Sequence, residues 1–256
     1  MQTNTFLQAI KKREPQVGLW VSLCSNFAAD VVATAGYDWA LLDMEHAPNE
    51  IGVVMSQMQA FQAGETSCIS RPMWNDSVLV KRLLDIGSQS LLFPMIQSAE
   101  EAKSAVSATR YPPEGIRGVS GTQRGNQFGR VKDYFEKVHS ETCVIVQIET
   151  MHALDQVEEI AKVDGVDGVF FGPADLSADM GKLGQTSDAQ LWEHISNAAK
   201  RVQAIGKPAG TLVMDAAKGA RLLNDGFSFV ACGSDLGLLA RGADKLLADV
   251  RKGITS

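Results

Sequence analysis

Eight short runs of apolar and β-branched residues recur at near-even intervals, and this rhythm constrains the fold more than any other feature. They lie at 17–23, 39–43, 66–71, 90–94, 142–149, 167–172, 209–213 and 227–232. The segments between them carry helical patterns. Ala99-Glu100-Glu101-Ala102-Lys103 opens on acids, which complement a helix dipole, and Asp215 through Gly226 begins with a capping Asp and ends with a Gly. Strands alternating with helices predict βα units and a parallel sheet. Eight units in 256 residues fit a (β/α)8 barrel, read as one domain over 1–256. An open doubly wound sheet needs a glycine-rich phosphate turn after its first strand, and Leu23-Cys24-Ser25-Asn26-Phe27 has none.

One connection breaks the rhythm. Residues 110–128, rich in Gly, Pro and Arg, are too long for a linker and predict a lid or an interface element. The formal net charge of −6 argues against nucleic acid or an anionic membrane as a partner. No apolar stretch is long enough to span a bilayer, and the first thirteen residues lack the apolar core of a signal peptide. Cys24, Cys68, Cys143 and Cys232 show no Cys-x-x-Cys spacing and read as free buried thiols in a reducing cytoplasm.

In a barrel, the C-terminal ends of the strands meet on one face, so the residues that follow each run converge. The run Trp39-Ala40-Leu41-Leu42 empties into Asp43-Met44-Glu45-His46-Ala47-Pro48. A single such turn also reads as solvated surface, but the event repeats. Arg71 ends the third run, Gln147 and Glu149 the fifth, Gly172-Pro173-Ala174-Asp175 the sixth, and Gly233-Ser234-Asp235 the last. Asp175 and Asp235 also suit helix N-caps. Gln147 and Glu149 are two apart on a strand and share a face, the lumen in a barrel. A glutamate in an apolar strand must be paired, protonated or bound to metal. Glu149 and Asp175, with no second His or thiolate at the rim, suit a hard divalent ion, Mg²⁺ or Mn²⁺, rather than Zn²⁺. The turn at Gly172 also offers backbone N–H groups to a substrate carboxylate. No lysine sits at a strand end, which disfavours a Schiff base.

Four motifs carry a family resemblance: Trp39-x-x-x-Asp43-x-Glu45-His46-Ala47-Pro48, Tyr111-Pro112-Pro113-x-Gly115-Ile116-Arg117-Gly118, Gln147-Ile148-Glu149, and Gly165 through Leu176. Together they resemble the 4-hydroxy-2-oxoheptanedioate aldolase family of metal-dependent pyruvate aldolases, over nearly the whole chain. Within that family, Gly118 through Gly129 and Gly233-Ser234-Asp235-Leu236-Gly237 resemble 2-dehydro-3-deoxyglucarate aldolase most. The resemblance implies a (β/α)8 barrel of the phosphoenolpyruvate/pyruvate-binding type. It implies His46 as acid/base, Asp85 raising its basicity, Asp43 supporting it, and Arg71 stabilising a developing enolate. Glu149 and Asp175 would bind the metal, Mg²⁺ first with Mn²⁺ or Co²⁺ as options, while Gln147, Ala174, Leu212 and Arg71 would contact the 2-keto acid. It also implies a homohexamer, a trimer of dimers exchanging the last helix near 235–252. Met44 departs from the family pattern, where a small residue is usual, and its bulk is expected to narrow the rim.

The expected reaction is cleavage of 2-dehydro-3-deoxyglucarate to pyruvate and tartronate semialdehyde. Cleavage of 4-hydroxy-2-oxoheptanedioate to pyruvate and succinate semialdehyde is the alternative. Arg117, Arg124 and Arg130, around the extended loop, are read as solvated or subunit-contact residues, or as the seat of the substrate's distal carboxylate. Two further readings compete: phosphoenolpyruvate chemistry, which lacks a Gly-rich phosphate loop with Lys, and a non-catalytic binding protein, against which the intact polar set speaks.

Overall fold

The computed structural model describes residues 1–254; Thr255 and Ser256, the end of the expected domain, lie outside the described residues. The eight strands are β1 (Gln16–Val21), β2 (Trp39–Asp43), β3 (Ser67–Arg71), β4 (Ser90–Phe93), β5 (Cys143–Ile148), β6 (Gly168–Phe171), β7 (Ala209–Val213) and β8 (Phe229–Ser234). All neighbours pair in parallel and β8 returns to β1, closing the barrel. The expected (β/α)8 fold is the observed one, with strand ends shifted by up to about two residues, as is usual at boundaries.

Alternation along each strand divides two cores. Val144, Val146 and Ile148 face the surrounding helices, whereas Cys143 and Ile145 join the lumen cluster with Trp39, Leu41, Ile69, Phe170 and Phe229. The lumen is plugged from below by the helix Thr5–Lys11, whose Phe6 packs against Trp39 and Phe229 at ring-centroid distances of 5.9 and 5.7 Å. Two strand glycines make room for those rings. A Cβ on Gly18 would meet Trp39 at 2.1 Å, and one on Gly210 would meet Phe229 at 2.2 Å. Gly18→Ala therefore overpacks the floor, and urea unfolding should show a loss of at least about 1–3 kcal/mol. An unchanged midpoint would mean that the floor yields freely.

The extended connection from Arg110 follows the helix Ala99–Thr109 and precedes β5, so it lies at the N-terminal end of the barrel. There, Arg124 Nη1 donates to the Ile86 carbonyl at 2.6 Å and Arg117 Nη2 donates to Asp85 Oδ1 at 2.9 Å. The loop does not overhang the rim of its own barrel, so within one chain it cannot seat a substrate's distal carboxylate. At the other extreme, the helix Asp235–Gly253 contacts mainly β1 and β8 and leaves Leu238, Leu239, Leu246 and Val250 more than half exposed. All four cysteines are unpaired, but only Cys143 is fully buried; the others are half-buried, contrary to the expectation of four buried thiols. Among the described residues, no helix is long and apolar enough to cross a membrane.

Candidate active site

Lumen-facing Trp39 and Leu41 set the parity of β2, so Asp43 also points inward at the strand's end. Parallel register places it beside Arg71 of β3. Arg71 Nε donates to Asp43 Oδ1 at 2.9 Å and Nη2 donates to Oδ2 at 2.8 Å, a bidentate pair. Trp20 Nε1 adds a bond to Oδ2 at 3.1 Å, and its ring lies 5.0 Å from the guanidinium carbon. Burial alone would raise the Asp43 carboxyl, but Arg71 overrides it and holds it below the usual range. Asp43 Oδ1 also accepts the backbone N–H groups of Glu45 and His46 at 3.0 and 3.3 Å. Asp43 thus supports His46 through its backbone, by bending the chain so that the imidazole stands at the rim.

Arg71 Nη1 reaches Glu45 Oε2 at 2.8 Å, and that oxygen lies 3.9 Å from His46 Nε2. Burial pushes the Glu45 carboxyl up, against the pull of Arg71. The His46 side chain is 64% exposed, facing the open rim. Asp43, Arg71, Glu45 and His46 therefore form one continuous polar row. Asp85 is not part of it. Asp85 ends the helix Ser77–Asp85 at the opposite end of the barrel, where Arg117 binds it, so it cannot pair with His46 within a chain. Met44 is also corrected: parity turns it outward into the helix–strand core, 3% exposed, so its bulk does not narrow the rim.

Across the mouth, Glu149 follows β5 on the lumen side and is 1% exposed. Its Oε2 accepts the Met95 N–H at 2.7 Å, and its Oε1 accepts Gln147 Nε2 at 2.7 Å. Burial pushes the Glu149 carboxyl up to about 8; the Met95 bond opposes this, and the Glu45 and Asp175 carboxylates add to it. Asp175 sits in the first turn of the helix Pro173–Asp179, with Gly172 as the cap residue. Ser234, not Asp235, caps the last helix; Asp235 instead accepts the Ser22 and Leu23 N–H groups at 2.8 and 3.1 Å. Ala174 is exposed beside Asp175, and Leu212 of β7 packs against the lumen cluster.

These residues fit a hard cation. Two carboxylates crowd one another without a compensating charge, and the buried Gln147 Oε1 has no hydrogen-bond partner. Gly172 leaves the space that Glu149 needs, since a Cβ there would lie 2.9 Å from its Cγ and 3.0 Å from its Oε1. Among the described residues no cluster of three or more His, Cys, Asp or Glu has metal-holding geometry. The donors at hand, carboxylate and amide oxygens without a thiolate, suit an oxygen-seeking ion that keeps waters. Two contributors had no assigned role in the sequence: Glu45, although it stood at the strand end, and Gly172, whose steric role shows only once Glu149 is placed.

Residues 16–242 match the family model described as HpcH/HpaI aldolase/citrate lyase. A Klebsiella pneumoniae 4-hydroxy-2-oxo-heptane-1,7-dioate aldolase is 49% identical over 246 residues, covering 96% of this chain and 93% of that one. A solved HpcH/HpaI aldolase/citrate lyase family protein from Burkholderia cenocepacia superposes with TM-score 0.94 at 37% identity, covering 97% and 100% of the two chains. A more distant solved protein, CitE of Mycobacterium tuberculosis in complex with magnesium and pyruvate, shares the fold at 17% identity and TM-score 0.54, over 87% of each chain. With a family model spanning most of its length and a relative near half identical, the chain belongs to the HpcH/HpaI aldolase/citrate lyase family and is a carbon–carbon lyase.

Proposed function

We propose that the chain cleaves 4-hydroxy-2-oxoheptanedioate reversibly to pyruvate and succinate semialdehyde, with a divalent ion held by Glu149 and Asp175. The observation that carries this reading is the facing of two groups across one rim. The row Asp43–Arg71–Glu45–His46 stands opposite Glu149, whose buried carboxyl is raised, and its neighbour Asp175. The 2-dehydro-3-deoxyglucarate reading rested on the 118–129 loop, which lies at the other end of the barrel, and on Gly233 through Gly237. The curated relatives carry the heptanedioate name instead.

A bound Mg²⁺, Mn²⁺ or Co²⁺ supplies Lewis acidity toward the carboxylate and keto oxygen of a 2-keto acid. The chain's own residues do the rest. Arg71, fixed by Asp43, brings positive charge to the keto oxygen as the C3–C4 bond breaks. His46 takes the C4 hydroxyl proton and later returns a proton to C3 of the product. Glu45, between Arg71 and His46, is the carboxylate within reach of both. Gln147 and Glu149 keep their places through their mutual bond, and Ala174 and Leu212 line the pyruvate end. The exposed leucines of the helix Asp235–Gly253 support docking on a second copy, within the homohexamer implied by the resemblance. The four unpaired cysteines support a reducing, cytoplasmic setting.

The substrate is tested by comparing kcat/KM for 4-hydroxy-2-oxoheptanedioate and 2-dehydro-3-deoxyglucarate on the same enzyme. The heptanedioate should be preferred. A preference for the sugar diacid would return the assignment to the other subfamily while leaving pyruvate aldol chemistry intact.

A further inference from the structure

At the end of the barrel opposite the rim lies a cavity of about 600 Å³, walled by Arg117, Arg124 and Arg130 together with Gln2, Gln89 and Tyr134. Among the described residues no Asp or Glu lines it, in a chain whose net charge is −6. Arg117 is the deepest of the three, with a fully buried side chain. Its Nη2 donates to Asp85 at 2.9 Å and to the Tyr134 hydroxyl at 3.1 Å, while Nε and Nη1 have no partner. The Tyr111 ring lies 4.5 Å from its guanidinium carbon. Among the described residues, Arg124 and Arg130 bond only carbonyls, those of Ile86 at 2.6 Å and Gln127 at 3.2 Å, and neither has a carboxylate within ion-pair distance. Burial disfavours the charge on Arg124.

Buried guanidinium donors without acceptors are costly. Several positive groups around an acid-free cavity repel one another unless an anion enters, and the planar donor fork of arginine matches phosphate and carboxylate oxygens. We infer that this cavity is a second ligand site, binding a small organic anion through a phosphate or carboxylate group held by Arg117, Arg124 and Arg130. Met55, Leu84, Phe128, Val131 and Val138, also on the wall, accommodate the body of the ligand. The site is separate from the rim and does not depend on the substrate proposed above.

Calorimetric titration of the assembled wild-type protein with inorganic phosphate and, separately, with succinate tests this. Saturable binding is expected for at least one probe, and the tighter of the two identifies the head group. Binding should weaken about tenfold or more in Arg124→Gln/Arg130→Gln, about 1.4 kcal/mol or more, while aldol cleavage measured without the anion is unchanged. Arg130→Gln alone, a change at an exposed side chain, should weaken it measurably and serves if the double variant fails to fold. Equal affinity in wild type and variants, or no binding of either probe to wild type, overturns the proposal.

Discussion

Replacing His46 with Ala lowers pyruvate release by roughly 10²–10⁴-fold, the range expected when a positioned acid/base is removed, and leaves metal binding intact. The expectation rests on position. His46 is held at the rim by the bond from its N–H to Asp43, is open to solvent, and has a carboxylate 3.9 Å away on Glu45. Among the described residues the imidazole makes no hydrogen bond that its loss would leave unsatisfied in a core, so the effect should fall on kcat rather than stability. Glu45→Gln separates the two roles in the row. It should lower activity less than His46→Ala. Near wild-type turnover in His46→Ala would make the histidine a structural rim residue.

The barrel was legible because period-2 and period-3.6 patterns alternate cleanly along the chain. The same parity placed Gln147 and Glu149 in the lumen, where Cys143 and Ile145 sit below them. Chain order alone also places two other features. Asp85 ends the helix after β3, and the 110–128 connection runs from a helix to β5, so both belong to the N-terminal end of a (β/α)8 barrel. The motif resemblance gives Asp85 a role toward His46, which within one chain it does not reach. Parity also settles Met44: Asp43 faces the lumen, so its neighbour faces outward. The unsatisfied Arg117 donors were not legible at all, since they depend on which loop atoms fail to reach them.

The measurement that tests the account most directly is pyruvate release from 4-hydroxy-2-oxoheptanedioate with and without divalent ions, read beside direct metal binding to wild type, Glu149→Gln and Asp175→Asn. In the metal-free protein, burial raises Glu149 to about 8, above its unfolded value. The unfolded chain therefore releases this proton first, so stability falls as pH rises through that window. An ion displaces the proton, and its affinity should weaken as pH falls. Chelation should abolish cleavage in wild type, and Mg²⁺, Mn²⁺ or Co²⁺ should restore it. Each variant should lose both the ion and the activity. Full activity in chelator, or substrate trapped on a lysine by borohydride, would contradict the account.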